Sequence, residues 1–324
     1  MFSLRISAAL LVCTSVPALA DPAIVYSVGG KFDASFNEAA WRGAEHWAME
    51  TGGNYGEFEI GGTAQSEQAL RAFARRGFDP VVAIGYLHAD ALAKVAAEFP
   101  DTRFAIVDMV VDAPNVMSVV FREHEGSYIT GAMASMASDS GVIGFVGGMD
   151  IPLIRRFECG YRQGAAAQSS DTQVIVTMTG TTPDAWADPV RGAEITRGQM
   201  AEGADVVMQA AGGTGIGVLQ AAADAGILGI GTDSNQNALH PGFVLTSMLK
   251  RIDVAVQEAF DDDVWAPGVR SLGIAEGGLS ISMDESNAAL VSDEMKEMAD
   301  LAARSIAGGE IVVHDIYTDG DCPF

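Results

Sequence analysis

The chain has 324 residues, 48% hydrophobic, 19% charged and 7% aromatic, with 37 glycines and a formal charge of −24. That is enough apolar material for two cores rather than one overgrown core. A chain this acidic repels polyanions, which argues against nucleic acid and anionic membrane surfaces as partners and leaves small neutral ligands open.

Arg5 is a minimal basic region, followed over residues 6–16 by an apolar segment too short to span a bilayer. Ala18-Leu19-Ala20 is an A-x-A cleavage site, so residues 1–20 read as a signal peptide and the mature chain as periplasmic from near Asp21. Cys13 follows Val12 rather than a small residue, so no lipid anchor is expected. No later stretch approaches ~18 uninterrupted apolar residues, the length a membrane-spanning helix requires.

Short apolar runs ending in glycine or aspartate then alternate with helical patterns. Strands are predicted over 23–28, 58–60, 81–84, 104–107 and 116–121. Helices are expected through Trp41, Ala44 and Trp47, over 66–76 and 89–98, and from Glu123 to about 137. The second half repeats the alternation, with strands over 142–146, 173–177, 206–209, 228–230 and 243–246. Helices lie over about 153–167, 188–202, 217–225 and 252–260. In the first strand–helix unit of that half, Gly147 and Gly148 end the strand and Pro152 opens the helix. After Asp261 the chain is less regular, with one helix over 293–307. Alternating β and α predicts an α/β protein with parallel sheets covered on both faces. These strands before residue 250 fit two doubly wound sheets, with a single eight-stranded barrel as the alternative.

Ligands of such sheets bind at the carboxyl ends of the strands, where four polar loops collect. The first is Asp33-Ala34-Ser35-Phe36-Asn37, in which Asp33 or Ser35 is equally suited to cap the next helix. The second is Asp108, costly at the end of an apolar strand unless hydrogen-bonded. The third runs from Gln209 to Gly217, and the fourth from Gly231 to Gln236, with Lys250 downstream. Gly212 to Gly217 fits G-x-G-x-x-G loosely, but an exported protein meets little dinucleotide, so no cofactor is expected. The glycines instead let the backbone approach a ligand. Asp33, Asn37, Asp108, Asp233 and Lys250 are the polar candidates, Phe36 and Trp186 the aromatic ones, and Met208 a soft apolar one.

Enzyme signatures are missing: the sequence has no G-x-S-x-G, Walker loop or H-E-x-x-H. Its five histidines lack metal-ligand spacing, and the acidic run at 261–263 lacks the pattern of a calcium loop. A non-enzymatic binder without metal is expected. Cys159 and Cys322, the pair left after leader removal, are a disulfide candidate that would tether the tail to the helix carrying Arg155 and Arg156. Two unpaired thiols are the alternative.

These motifs are familiar in combination. Phe32-Asp33 with Ser35-Phe36-Asn37, Asp108 with Pro114-Asn115-Val116, GGMDIPLIRRFE from Gly147, QAAGGTG from Gln209, the Gly231–Gln236 loop and TSMLKR from Thr246 together resemble the basic membrane protein family. That family comprises ABC-transporter substrate-binding proteins akin to purine nucleoside receptors, with the type I periplasmic binding fold. The resemblance implies two lobes joined by three crossovers, residues 21–123 with 253–281 forming one and 124–252 with 282–324 the other. It implies a monomer that closes on a nucleoside by hinge motion and delivers it to an inner-membrane permease. Carried onto this chain, the base stacks on Phe36 with Asn37 and Asp108 at its edge. Asp233 and Lys250 hold the ribose, and Gly213 gives close backbone contact. Met208 stands where relatives can place a second aromatic. Alternatives are a sensor reporting to a membrane receptor, a receptor for a free base, riboflavin-like ligand or sugar, and an exported hydrolase using Asp33 or Asp108 as base.

Overall fold

A computed structural model describes residues 20–324; Arg5, the apolar segment after it and Cys13 lie outside them. The first lobe opens with β1 (Ala23–Tyr26), α1 (Phe36–Thr51), β2 (Gly56–Glu59) and α2 (Ser66–Arg75). It continues through β3 (Val81–Ile84), α3 (Ala89–Glu98), β4 (Phe104–Val107) and β5 (Val116–Phe121). Helix α4 (Glu123–Ala137) carries the chain into the second lobe. There follow β6 (Val142–Met149), α5 (Pro152–Gln168), β7 (Gln173–Gly180) and α6 (Pro189–Ala201). Next come β8 (Val206–Ala210), α7 (Thr214–Asp224), β9 (Leu228–Asp233) and β10 (Val244–Lys250). The chain then returns through α8 (Ile252–Phe260) to β11 (Gly268–Leu272), and crosses a third time to β12 (Leu279–Ile281) and α9 (Asp293–Ala307).

Two six-stranded sheets result, ordered β11-β5-β4-β3-β1-β2 and β12-β10-β9-β8-β6-β7. Every pairing is parallel except β10 with β12, so the single-barrel alternative is excluded. β1, β3 and β4 read AIVY, VVAI and FAIV and are buried throughout, as strands covered on both faces must be. The edge strand β2, GEFE, is mostly exposed and blunts its edge with glutamates.

Three features depart from expectation. β6 does not stop at Gly147: it pairs with β7 out to Met149↔Gly180. The glycines there admit neighbours, since a Cβ on Gly147 would sit 2.2 Å from Met178 Sδ and one on Gly148 2.2 Å from the Trp186 ring. β9 and β10 run on to Asp233 and Lys250 because their mutual pairing continues to Leu249↔Asp233, which overrides the local turn chemistry. The short strands β11 and β12, in the stretch read as irregular, form by pairing with β5 and β10. β12 lies in the second sheet, so the third crossing falls between Leu272 and Leu279, not after residue 281.

The crossover helix α4 is buried from Glu123 to Ala134, and one apolar cluster runs from Tyr26 and Phe121 through Ile129 and Met133 to Phe145 and Tyr161. α4 and α5 meet backbone to backbone: a Cβ on Gly131 would lie 2.0 Å from Tyr161 O, and one on Gly164 1.9 Å from Tyr128 O. Cys159 of α5 is disulfide-bonded to Cys322, Cα to Cα 5.6 Å, which fastens the C-terminal tail along α5. Among the described residues no helix is long and apolar enough to cross a membrane.

Candidate functional site

The carboxyl ends of both sheets face one another across a cleft of about 600 Å³, counting the space open to solvent. The first lobe contributes Ser27, Asp33, Phe36 and Asn37 after β1, Gly85 and Tyr86 after β3, and Asp108 after β4. The second contributes Leu153 and Phe157 of α5, Trp186, Gly212, Thr232, Asp233 and Lys250.

Asp33 serves its own loop. Its carboxylate accepts N–H bonds from Ser35 (2.8 Å), Asn37 (3.0 Å) and Glu38 (3.1 Å) and one from Asn37 Nδ2 (3.1 Å), so it caps α1. Burial raises its pKa to about 6 against those donors. The Asn37 carbonyl accepts the Ser27 N–H at 2.9 Å, so this amide also fixes the loop. Ser35, freed from capping, crosses the cleft: its hydroxyl donates to Asp233 Oδ2 at 2.7 Å and lies 3.1 Å from the Thr232 carbonyl. Ser234 Oγ to Ser35 O (2.8 Å) and Gln236 Nε2 to Ala34 O (3.0 Å) complete this junction between the lobes.

Asp108 and Asp233 end equivalent strands, β4 and β9, of the two sheets, and both adopt left-handed backbone, φ +67° and +69°. Left-handed geometry is unfavourable outside glycine and recurs at functional positions. Burial pushes both carboxyls up, Asp108 to about 7. Lys250 Nζ, at the end of β10, donates to Asp108 Oδ2 at 2.7 Å and pairs with Glu123 at 3.0 Å. The rings of Phe36, Phe121 and Phe157 stand 5.0–5.6 Å from the ammonium.

Phe36 and Trp186 are the aromatic faces. The Phe36 ring lies beside Gly85, where a Cβ would come within 3.4 Å of it. Trp186 lies in a 3₁₀ turn, Pro183–Trp186, with its indole against Gly148 and Gly212. Two buried polar atoms of the cleft, Asp108 Oδ1 and Trp186 Nε1, have no hydrogen-bond partner among the described residues.

Two sequence candidates fall elsewhere. Met208 lies two residues short of the end of β8, fully buried, its sulfur accepting the Thr130 hydroxyl of α4 at 3.3 Å. It belongs to the core; the cleft wall begins at Ala210. Gly213 sits behind Gly212, where a Cβ would meet Trp186 O of its own lobe at 3.2 Å and Asp33 Cβ of the facing lobe at 3.7 Å, so its close contacts are with protein on both sides. Sequence reasoning missed Tyr86, whose hydroxyl contacts Met149 Sδ across the cleft at 3.0 Å. The signal was present: Tyr86 follows a strand-ending glycine, Gly85, at the carboxyl end of a buried strand. Phe157 and Glu123 carried no such signal, since each looks like an ordinary helix residue.

A profile of the family described as "ABC transporter substrate-binding protein PnrA-like" matches residues 22–316. The chain belongs to this family. A Lactococcus lactis relative named ABC transporter nucleoside-binding protein BmpA is 31% identical over 318 residues, covering 90% of this chain and 88% of that one. An uncharacterized lipoprotein from Pyrococcus furiosus is 33% identical, covering 79% and 68%. A solute-binding protein of an ABC transporter system from Aeropyrum pernix superposes with a TM-score of 0.83 at 27% identity, covering 91% and 94%. A Caulobacter myo-inositol binding protein shares the fold, TM-score 0.61 at 17% identity, covering 87% and 99%. This substrate-binding protein thus has the type I periplasmic binding architecture and belongs to an extracytoplasmic class. Because similar chains are lipoproteins, the expectation of no lipid anchor at Cys13 has no support.

Proposed function

We propose that this substrate-binding protein captures a nucleoside, a purine nucleoside foremost, between its lobes and delivers it to a membrane permease. The observation that carries this reading is the composition of one cleft between the lobes. It has aromatic faces from opposite lobes, an unpartnered acceptor on Asp108, an unpartnered donor on Trp186, and the Asp233–Lys250 pair of groups for hydroxyls. A buried polar atom left unpaired costs ~1–3 kcal/mol, so a ligand offering one donor and one acceptor beside a flat ring recovers that cost. The name of the Lactococcus relative supports the same ligand class. Binding residues come from both lobes, so occupancy favours the closed arrangement a permease would recognise.

The test is a thermal-melt screen of the chain from Asp21, unfolded and refolded to strip any carried ligand, against nucleosides, free bases, sugars and riboflavin. A ligand at ~100 times its Kd adds roughly 2.7 kcal/mol, a shift of several degrees. Shifts with inosine, guanosine or adenosine and none with ribose are expected. A shift with a sugar or riboflavin and none with any nucleoside would overturn the proposal.

A further inference from the structure

Lys250 is held by a chain of buried charges that reaches the C-terminal tail. Glu123, fully buried, uses its two oxygens on different partners: Oε1 lies 3.0 Å from Lys250 Nζ and Oε2 accepts Arg156 Nη1 at 3.1 Å. Arg156 also donates to the Phe121 carbonyl, so it grips both sides of the first crossing between lobes. Its remaining fork, Nε and Nη2, closes on Asp315 of the tail, with Nε to Oδ1 at 2.8 Å. Tyr317 lies over the guanidinium at 5.0 Å. The Cys159–Cys322 disulfide ties that tail to α5, three residues beyond Arg156.

The geometry has a consequence for the ammonium. An ammonium has three N–H donors; Asp108 takes one as a hydrogen bond, while Glu123 Oε1 lies 3.0 Å away as an ion partner without one, so the pull of Glu123 against the cleft sets where the free donors point. We propose that Arg156, itself held by Asp315 of the disulfide-anchored tail, is a positioning residue that occupies one oxygen of Glu123 and thereby holds Lys250 poised toward the ligand. Without Arg156 both Glu123 oxygens turn to the one remaining cation, and Lys250 is drawn from the cleft toward α4. The guanidinium is suited to this task because its fork binds Asp315 and its third edge still reaches Glu123 and Phe121; lysine offers a point charge in its place. This inference rests on the reading of Lys250 as a ligand-binding group.

The test is a double-mutant cycle of Arg156→Met and Lys250→Met, read first on urea unfolding without ligand and then on inosine titration. Non-additivity in unfolding is expected, because both act through Glu123, and strict additivity overturns the proposal. In titration, Arg156→Met should weaken inosine about 2- to 30-fold, the range of coupling through packed networks, and add nothing once Lys250 is gone. Coupling in unfolding without any inosine binding by the natural protein would count against the nucleoside reading while leaving the charge linkage in place. Should the Lys250 variant not fold, Asp315→Asn and the Cys159→Ser, Cys322→Ser pair replace it, since neither touches the cleft wall. Each should weaken inosine about 2-fold or more while sparing hypoxanthine, which has no ribose for Lys250 to hold. Equal losses for both ligands would mark a merely structural tail and overturn the proposal.

Discussion

Replacing Asp233 by Asn isolates the proposed ribose contact. At φ +69° the backbone suits asparagine better than any residue but glycine, so this exchange changes charge without adding strain. The Ser35 hydroxyl keeps an acceptor in the Thr232 carbonyl at 3.1 Å, so the junction between lobes survives. What is lost is a charged acceptor for a hydroxyl, worth ~1.5–3 kcal/mol, which corresponds to about 10- to 150-fold in Kd. Hypoxanthine carries no ribose and should bind the variant as it binds the natural protein. Isothermal titration with inosine and hypoxanthine against both proteins gives the two ratios directly. An equal loss for both ligands, or no loss for inosine, refutes the placement of ribose at Asp233. Asp233→Ala should give a similar inosine ratio but cost a further ~1–2 kcal/mol in unfolding, since alanine is strained at positive φ.

Other outcomes follow from the same geometry. Gly148→Ala places a methyl 2.2 Å from the Trp186 ring and must displace the indole, so tryptophan emission should change and nucleoside affinity fall; retained affinity with unchanged emission would show that the indole has another seat. AMP should bind more weakly than adenosine, because Asp108, Asp233 and Glu123 surround Lys250, the one cation lining the cleft among the described residues, and a tighter AMP complex in calorimetry would contradict the site. His88 is fully buried, and burial pushes its pKa down to about 4. A base depressed below its unfolded value contributes stability above about pH 6.5 that is lost as pH falls toward 4. The swing amounts to ~3 kcal/mol, and His88→Leu should remove it from urea titrations across that window; an unaltered slope would assign the pH dependence elsewhere.

Much of this protein was legible without coordinates, because buried parallel strands carry their own signature. AIVY, VVAI and FAIV read as interior strands, and the loop after each lies at a ligand-facing edge. Asp33, Phe36, Asn37, Asp108, Trp186, Asp233 and Lys250 all line the one cleft for that reason. Tertiary structure decided what each does there. Capping fell to Asp33 and bridging to Ser35, although local sequence suits either residue to cap, because only the fold brings Asp233 within 2.7 Å of the Ser35 hydroxyl. Met208 reads as a cleft residue by type and neighbourhood, yet two residues of depth along β8 put it against α4. The edge strands β11 and β12 and the bond from Arg156 to Asp315, 159 positions away, depend on partners remote in the chain. Local propensity and periodicity record how a segment covers its own faces. Which distant segment supplies the covering, or the counter-charge, is settled only when the chain folds.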